Sequence, residues 1–344
     1  MDRARALALL GRAPVVHLAS TTPEGRPLIR TVHGVVVGDS LAFHGAPAGE
    51  KTETEGREAV VSAEEIVASI PSYFLDPERA CPATTLYESV QIHGRVERVD
   101  DPIEKAAVLA ALMAKLQPEG GHAPLAADHP LYRKPVAGIL VLRVPLADLD
   151  GKAKLAQNRT PEDRAQLFAK LWERGLPGDP RAIELIRAHN PGTPVPAFLR
   201  GPAGTSLAAW LGAEDAADAA ALLDGAYWND GLTPATLASA HRGSIAWVGA
   251  RDAAGALVAT ARAISDVEKR AWIYDVMVAP ALRGKGVGEA VMRLLLDHPA
   301  LRRVRRVYLA TRDAEAFYAR LGFGDRRELD VRPYPSTEMV LRRA

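Results

Sequence analysis

The stretch Val276-Met277-Val278-Ala279-Pro280-Ala281-Leu282-Arg283-Gly284-Lys285-Gly286-Val287-Gly288 constrains the chain most. Its apolar run predicts a strand, its alternating glycines a tight turn, and the apolar period beyond Gly288 a helix. A helix start leaves several backbone N–H groups unpaired at one point. The helix dipole adds partial positive charge there, so a phosphate or pyrophosphate suits the place. Gly284, Gly286 and Gly288 let a ligand approach the backbone, because no Cβ stands in the way. Arg283 and Lys285 add full positive charge. The spacing is not that of a P-loop, since Val287-Gly288-Glu289 stands where a Lys-Ser/Thr pair belongs. Nor is it G-x-G-x-x-G, because the glycines alternate.

The pattern R-G-x-G-x-G after V-x-P resembles motif A of the GNAT N-acetyltransferases. Downstream, Ala310-Thr311-Arg312-Asp313-Ala314-Glu315-Ala316-Phe317-Tyr318-Ala319-Arg320-Leu321-Gly322-Phe323 is similar to the family's strand, helix and "FYxxLGF" ending. The resemblance implies an α/β GNAT fold with a mixed central sheet, and an N-acetyltransferase that uses acetyl-CoA. It implies that the backbone of Met277 and Val278 holds the thioester end. The turn of Arg283, Gly284, Lys285, Gly286, Val287 and Gly288 would hold the pyrophosphate. Tyr318 stands where family members place the tyrosine that protonates the CoA thiolate; its other reading is a core aromatic beside Phe317 and Phe323. Asp275, just before the strand's apolar run, is the candidate base and is expected to face the substrate cleft. Its other reading is a charge that orients a cationic amine. Thr311 stands where many members have asparagine. The resemblance places the pocket for the acceptor, a small-molecule amine, around Tyr227-Trp228-Asn229-Asp230.

At 344 residues the chain is long for one core, so two domains are expected. The prolines and glycines of 190–196 and 201–204 mark a connector between residues 1–200 and 205–344. A formal charge of +1 gives no electrostatic case for nucleic acid or an anionic membrane as partner. The basic run 302–306 reads as a solvated face. Cys81 is the only cysteine, which excludes an internal disulfide. The apolar run 6–10 is too short for a signal peptide, and no stretch is long enough to span a bilayer, so a cytoplasmic protein is expected.

The first domain reads as short strands and tight turns, a meander that builds small barrels. Strands are expected at 15–20, 28–37, 41–44, 87–99 and 138–144. A helix follows Asp101-Pro102, and two more run over 161–174 and 180–189, capped by Thr160 and Asp179. No histidine spacing suggests a metal site. The segment is similar to the flavin-nucleotide-binding split barrels related to pyridoxamine 5'-phosphate oxidase. The elements that carry this are Phe43-His44-Gly45-Ala46 with Gly49-Glu50-Lys51, Leu86-Tyr87-Glu88-Ser89-Val90 with Gly94, Leu112-Met113 with 117–121, and 151–159. The resemblance implies a split β-barrel with flanking helices and a homodimer formed through it, with FMN at the subunit interface. Arg30 and Lys51 would contact the FMN phosphate, and Val32 and His44 would line the isoalloxazine. Related barrels bind haem or a deazaflavin instead. The acidic segment 52–58 is expected to be a solvated helix face. For His44 and His93 the other reading is structural. Together the halves imply a bifunctional protein, an acetyltransferase fused to a flavin-binding oxidoreductase-like module. The alternatives are a flavin- or haem-binding sensor whose acetyltransferase domain modifies a partner, and a barrel that serves only as a dimerisation scaffold.

Overall fold

The computed structural model describes residues 1–329 and divides the chain into two compact units, 1–159 and the remainder from Thr160. The first unit contains α1 (Arg3–Arg12), β1 (Val16–Thr21), β2 (Pro27–Val32), β3 (Val35–Val37), β4 (Ser40–Gly45), β5 (Glu58–Ile70), β6 (Thr84–Arg95), β7 (Glu97–Val99), α2 (Pro102–Leu116), α3 (Arg133–Gly138), β8 (Leu140–Pro145) and β9 (Asp148–Lys154). A five-stranded antiparallel sheet runs β2-β1-β5-β6-β9, and a four-stranded one runs β3-β4-β8-β7. The chain passes from one sheet to the other at His33-Gly34 and again at Val96, which makes the corners of a split barrel. The expected strands over 28–37 and 87–99 are therefore each two strands. Gly34 is needed at its corner, since a Cβ there would stand 2.8 Å from Val16 Cγ2.

The barrel core interleaves both sheets: Val16, Leu18, Val61, Val90 and Ile92 from one, Leu41, Phe43, Leu142 and Val144 from the other. Helix α1 closes it with Ala6, Leu9 and Leu10. Arg5 and Arg12 of α1 pin the helix to the buried carboxylate of Glu88 on β6, with Arg5 Nε at 2.5 Å. Asp101 caps α2 by accepting from Ile103 N at 2.8 Å, with Pro102 at the first helical position. The acidic segment forms a 3₁₀ turn over Glu50–Thr54 rather than a longer helix, and Thr54 is buried within it.

The second unit contains α4 (Pro161–Arg174), α5 (Asp179–His189), β10 (Ser206–Ala208), α6 (Ala216–Leu222), α7 (Pro234–Arg242), β11 (Ala246–Arg251), β12 (Leu257–Ser265), β13 (Arg270–Val278), α8 (Val287–Asp297), β14 (Arg306–Tyr308), α9 (Glu315–Ala319) and α10 (Arg326–Leu329). Its sheet runs β10-β11-β12-β13-β14, antiparallel except for the parallel β13–β14 pair. Helices α6 and α8 pack on it. Ala216 and Ala219 of α6 meet Trp247, Leu211 and Leu257.

Helices α4 and α5 pack with this second unit, so the division falls at 159/160 and the proline-rich segment lies inside a folded unit. The contacts explain it. Trp172 Nε1 donates to Asp297 at the end of α8 (2.6 Å), Arg302 donates to Trp172 O (2.9 Å), and Glu184 accepts from Ala209 N (2.7 Å). Thr160 caps α4 as expected, accepting from Asp163 N. Asp179 does not cap α5; its carboxylate binds Leu176 N and Arg174 instead. No helix among the described residues is long and apolar enough to cross a membrane.

Candidate functional site

Strands β13 and β14 pair only over Arg270–Trp272 and Arg306–Tyr308. From Ile273 to Val278 that edge of β13 carries no strand among the described residues. On its other side the ladder to β12 shifts register opposite Thr260–Arg262, and Asp275 sits there at φ +54°. This is a β-bulge, and a bulge re-aims the side chain it carries. Asp275 is accordingly turned into the protein, 5% exposed. Arg262 Nε donates to its Oδ2 at 2.5 Å, while Trp228 Nε1 (3.0 Å) and Asn229 Nδ2 (3.3 Å) donate to its Oδ1. Arg262 also donates to Ser244 Oγ, and its guanidinium lies 5.0 Å from the centre of the Tyr274 ring. The sequence reading has this carboxylate facing the cleft as a base. The bulge makes it a buried counter-ion, with three donors on it, that holds the Trp228-Asn229 turn.

Beyond β13 the turn has the geometry that its glycines predict. Gly284 and Gly286 adopt φ +72° and +82°, and Gly286 is the N-cap of α8. No side chain caps this helix, so its first amides remain open. A Cβ on Gly288 would stand 3.3 Å from Val278 Cγ2 and within 3.8 Å of the Phe317 ring, so the missing side chain seats α8 closely against β13 and α9. Arg283 bends back and braces the strand end, with Nε donating to Val278 O at 3.0 Å and Nη2 lying 3.4 Å from Met277 Sδ. Lys285 is exposed and forms no ion pair among the described residues. Val287 is buried under the turn.

Tyr318, on α9, is half-buried with its ring edge-on to Phe317 and Phe323. Burial first, and the nearby Tyr227 phenol second, push its own phenol above the usual range, so it keeps its proton at neutral pH. Tyr227 accepts from Arg312 N at 3.2 Å, and the Arg312 guanidinium lies 3.7 Å from its ring centre. Thr311 Oγ1 accepts from Ala314 N and fixes the entry to α9. The fold thus gathers the open helix start, the unpaired strand edge, Tyr318 and the Tyr227-Trp228 turn. Sequence reasoning missed Arg262. A lone cation between small apolar residues in Ala259-Thr260-Ala261-Arg262-Ala263 is the signal that marks it.

In the barrel, His44 is the penultimate residue of β4, opposite Val141. Its Nδ1 is buried without a hydrogen-bond partner. Burial first, then Lys51 and His33, hold its pKa below the usual value. The Lys51 ammonium lies over Gly45, where a Cβ would stand 2.5 Å from Nζ. An open cleft of about 450 Å³ adjoins, lined by His44, Gly45 and Pro47 together with Pro135, Gly138 and Ile139. The structure brings His44 and Lys51 together. Arg30 lies on β2 of the other sheet, where it donates to Ile29 O, and Val32 is packed into the barrel core. His93 is an exposed strand residue opposite Val60 and Asp148.

Residues 2–153 match the family model of pyridoxamine 5'-phosphate oxidase, and residues 213–323 match that of the GNAT acetyltransferase family. The chain is a pyridoxamine 5'-phosphate oxidase-like domain fused to a GNAT domain. Among solved structures, the barrel half is similar to a flavocytochrome from Azotobacter vinelandii, with 21% identity, 44% of this chain and 67% of that chain covered, and a TM-score of 0.39. It is also similar to an FAD and haem binding protein from Mycobacterium smegmatis, with 24% identity, 44% and 71% covered, and a TM-score of 0.38. The GNAT half is similar to a GNAT-family protein from Xanthomonas campestris pv. campestris, with 29% identity, 40% and 96% covered, and a TM-score of 0.33. No curated protein matches the chain.

Proposed function

We propose that the GNAT domain transfers an acetyl group from acetyl-CoA to a small-molecule amine, and that the barrel domain binds FMN. The observation that carries the first part is the meeting of an uncapped helix start, an unpaired strand edge and a protonated, half-buried tyrosine. The open amides of α8 and Lys285 suit the pyrophosphate. An N–H on the free edge of β13 suits the thioester carbonyl, where it would stabilise the charge that develops on attack. The amine attacks as the free base, and the exposed rings of Tyr227 and Trp228 offer it an apolar wall. The C–S bond breaks as the N–C bond forms; Tyr318 donates its proton to the departing thiolate, and the proton lost by the attacking nitrogen passes through solvent to restore the phenol. Asp275 acts one step back by fixing the Trp228-Asn229 turn through its hydrogen bonds. Tyr318→Phe should lower kcat by about 10²-fold with acetyl-CoA affinity by calorimetry unchanged. A kcat within about twofold of wild type, with chemistry limiting the rate, reassigns Tyr318 to packing.

In the barrel, the unpartnered His44 Nδ1 and the Lys51 ammonium fit a flavin nucleotide, as an acceptor or donor for the ring system and a cation for the phosphate. When bound, FMN supplies two-electron redox chemistry. The chain's own part is to hold the phosphate with Lys51 and to hydrogen-bond the ring through His44, with Arg30 set apart on the other sheet. A homodimer through the barrel accompanies this reading. A visible spectrum of the purified protein tests it: a band at about 450 nm supports flavin, a Soret band moves the assignment to haem, and a colourless protein that refuses both leaves the barrel as a scaffold.

A further inference from the structure

The GNAT domain contains a cavity of about 530 Å³, lined by residues of the α4–α5 turn, the segment after β10, the α7–β11 turn and the segment after α8. It lies at the opposite end of the domain from the Arg283–Gly288 turn. Helix α8 starts at that turn, and the cavity begins at His298, just past its last residue, Asp297. Eleven residues at 1.5 Å each separate the two places by about 16 Å.

We propose that this cavity is a binding site for a small planar heteroaromatic carboxylate carrying a ring N–H. Its volume falls in the range of small-molecule sites. Trp210 and Trp247 bring two indole rings to its lining, and Leu176, Pro177, Ile245 and Pro299 make much of the rest apolar. Its polar groups specify the rest. His241 is 1% exposed, and its Nδ1 lies 2.7 Å from Leu237 O. A carbonyl only accepts, so the proton sits on Nδ1, and Nε2 is a buried acceptor without a partner. A buried acceptor left unsatisfied is costly, and a ligand N–H would satisfy it. His298 Nδ1 accepts from Ala300 N at 3.1 Å, which leaves its Nε2 as a donor. Burial, with Arg302 behind it, holds His298 to about 4, so the ring is neutral in this role. Among the described residues the charged ones in the lining are Arg242 and Arg303, with no carboxylate among them. Arg303 has only an exposed 3.5 Å contact with Glu268, the kind worth little. Two guanidiniums without a lining acid select an anion.

Indole-3-carboxylate is the probe, titrated into the full chain by calorimetry beside indole-3-carboxamide and 1-methylindole-3-carboxylate. The expected result is saturable 1:1 binding of the acid. The amide and the N-methyl acid should each bind about tenfold more weakly, the loss of one good polar contact. CoA should not compete. Ala300→Phe fills the cavity and should abolish probe binding while leaving CoA affinity intact. Arg242→Ala with Arg303→Ala, both at exposed positions, should weaken the acid about tenfold and leave the amide unchanged. The double variant decides the matter if Ala300→Phe fails to fold. Absence of saturable binding by wild type at millimolar probe overturns the proposal. So do equal affinities for acid and amide, competition by CoA, or an acid affinity indifferent to both arginines.

Discussion

At the scale of single residues, Asp275 and Arg262 form an ion pair whose side chains retain 2% and 11% of their exposure. Asp275→Asn keeps the shape but leaves a buried guanidinium without its counter-charge. Breaking one partner of a buried pair costs about 3–5 kcal/mol. The Tyr274 ring still faces the cation, so the low end, about 3 kcal/mol, is expected in a denaturant melt. The loosened Trp228-Asn229 turn should raise the KM of the amine more than it lowers kcat. The pH profile of kcat should keep its shape, and a profile that loses a limb in this variant would restore Asp275 as a base. The packing of Tyr318 was legible because its neighbours in sequence, Phe317 and Phe323, are also its neighbours in space. The aim of Asp275 was not, because it depends on a one-residue slip between β12 and β13, which only pairing of distant segments creates.

At the scale of elements, the turn before α8 was legible because its cause is local: glycines where the backbone needs positive φ. The helix caps at Asp101 and Thr160 were legible for the same reason. The barrel corners were not, since unbroken apolar runs do not say where a strand changes sheets. Nor was β5 read as a strand. Its buried residues Ala59, Val61 and Ala63 alternate, but alanine is a weak strand former, and the register shift between Ile66 and Ala68 breaks the period. The open start of α8 makes a separable contribution to cosubstrate binding. Lys285→Ala removes an exposed charge that packs against nothing charged among the described residues. It should weaken CoA about tenfold by calorimetry without moving the thermal midpoint. A fall in thermal midpoint instead would make Lys285 structural.

At the scale of the whole molecule, composition supports two cores but misplaces the division. Proline and glycine read as a connector, whereas 190–204 is held by Leu199, fully buried, and by Thr193, which accepts from Arg164 at 2.7 Å. The fragments that should fold alone are therefore 1–159 and the chain from Thr160 onward. The first is expected to be a dimer that retains FMN, and Lys51→Ala should release it. The second is expected to bind CoA. Light scattering and spectra of the first, with calorimetry on the second, check both; a second fragment cut at 205 should aggregate, because it lacks α4 and α5.

The parting of β13 and β14 after Trp272 has a cost besides its use. A strand edge with unmatched hydrogen-bonding groups invites another chain to lie along it. A cosubstrate arm stretched along that edge serves as its cover as well as its cargo. The form of the protein most prone to join copies of itself is then the one waiting between turnovers, with nothing laid against the strand.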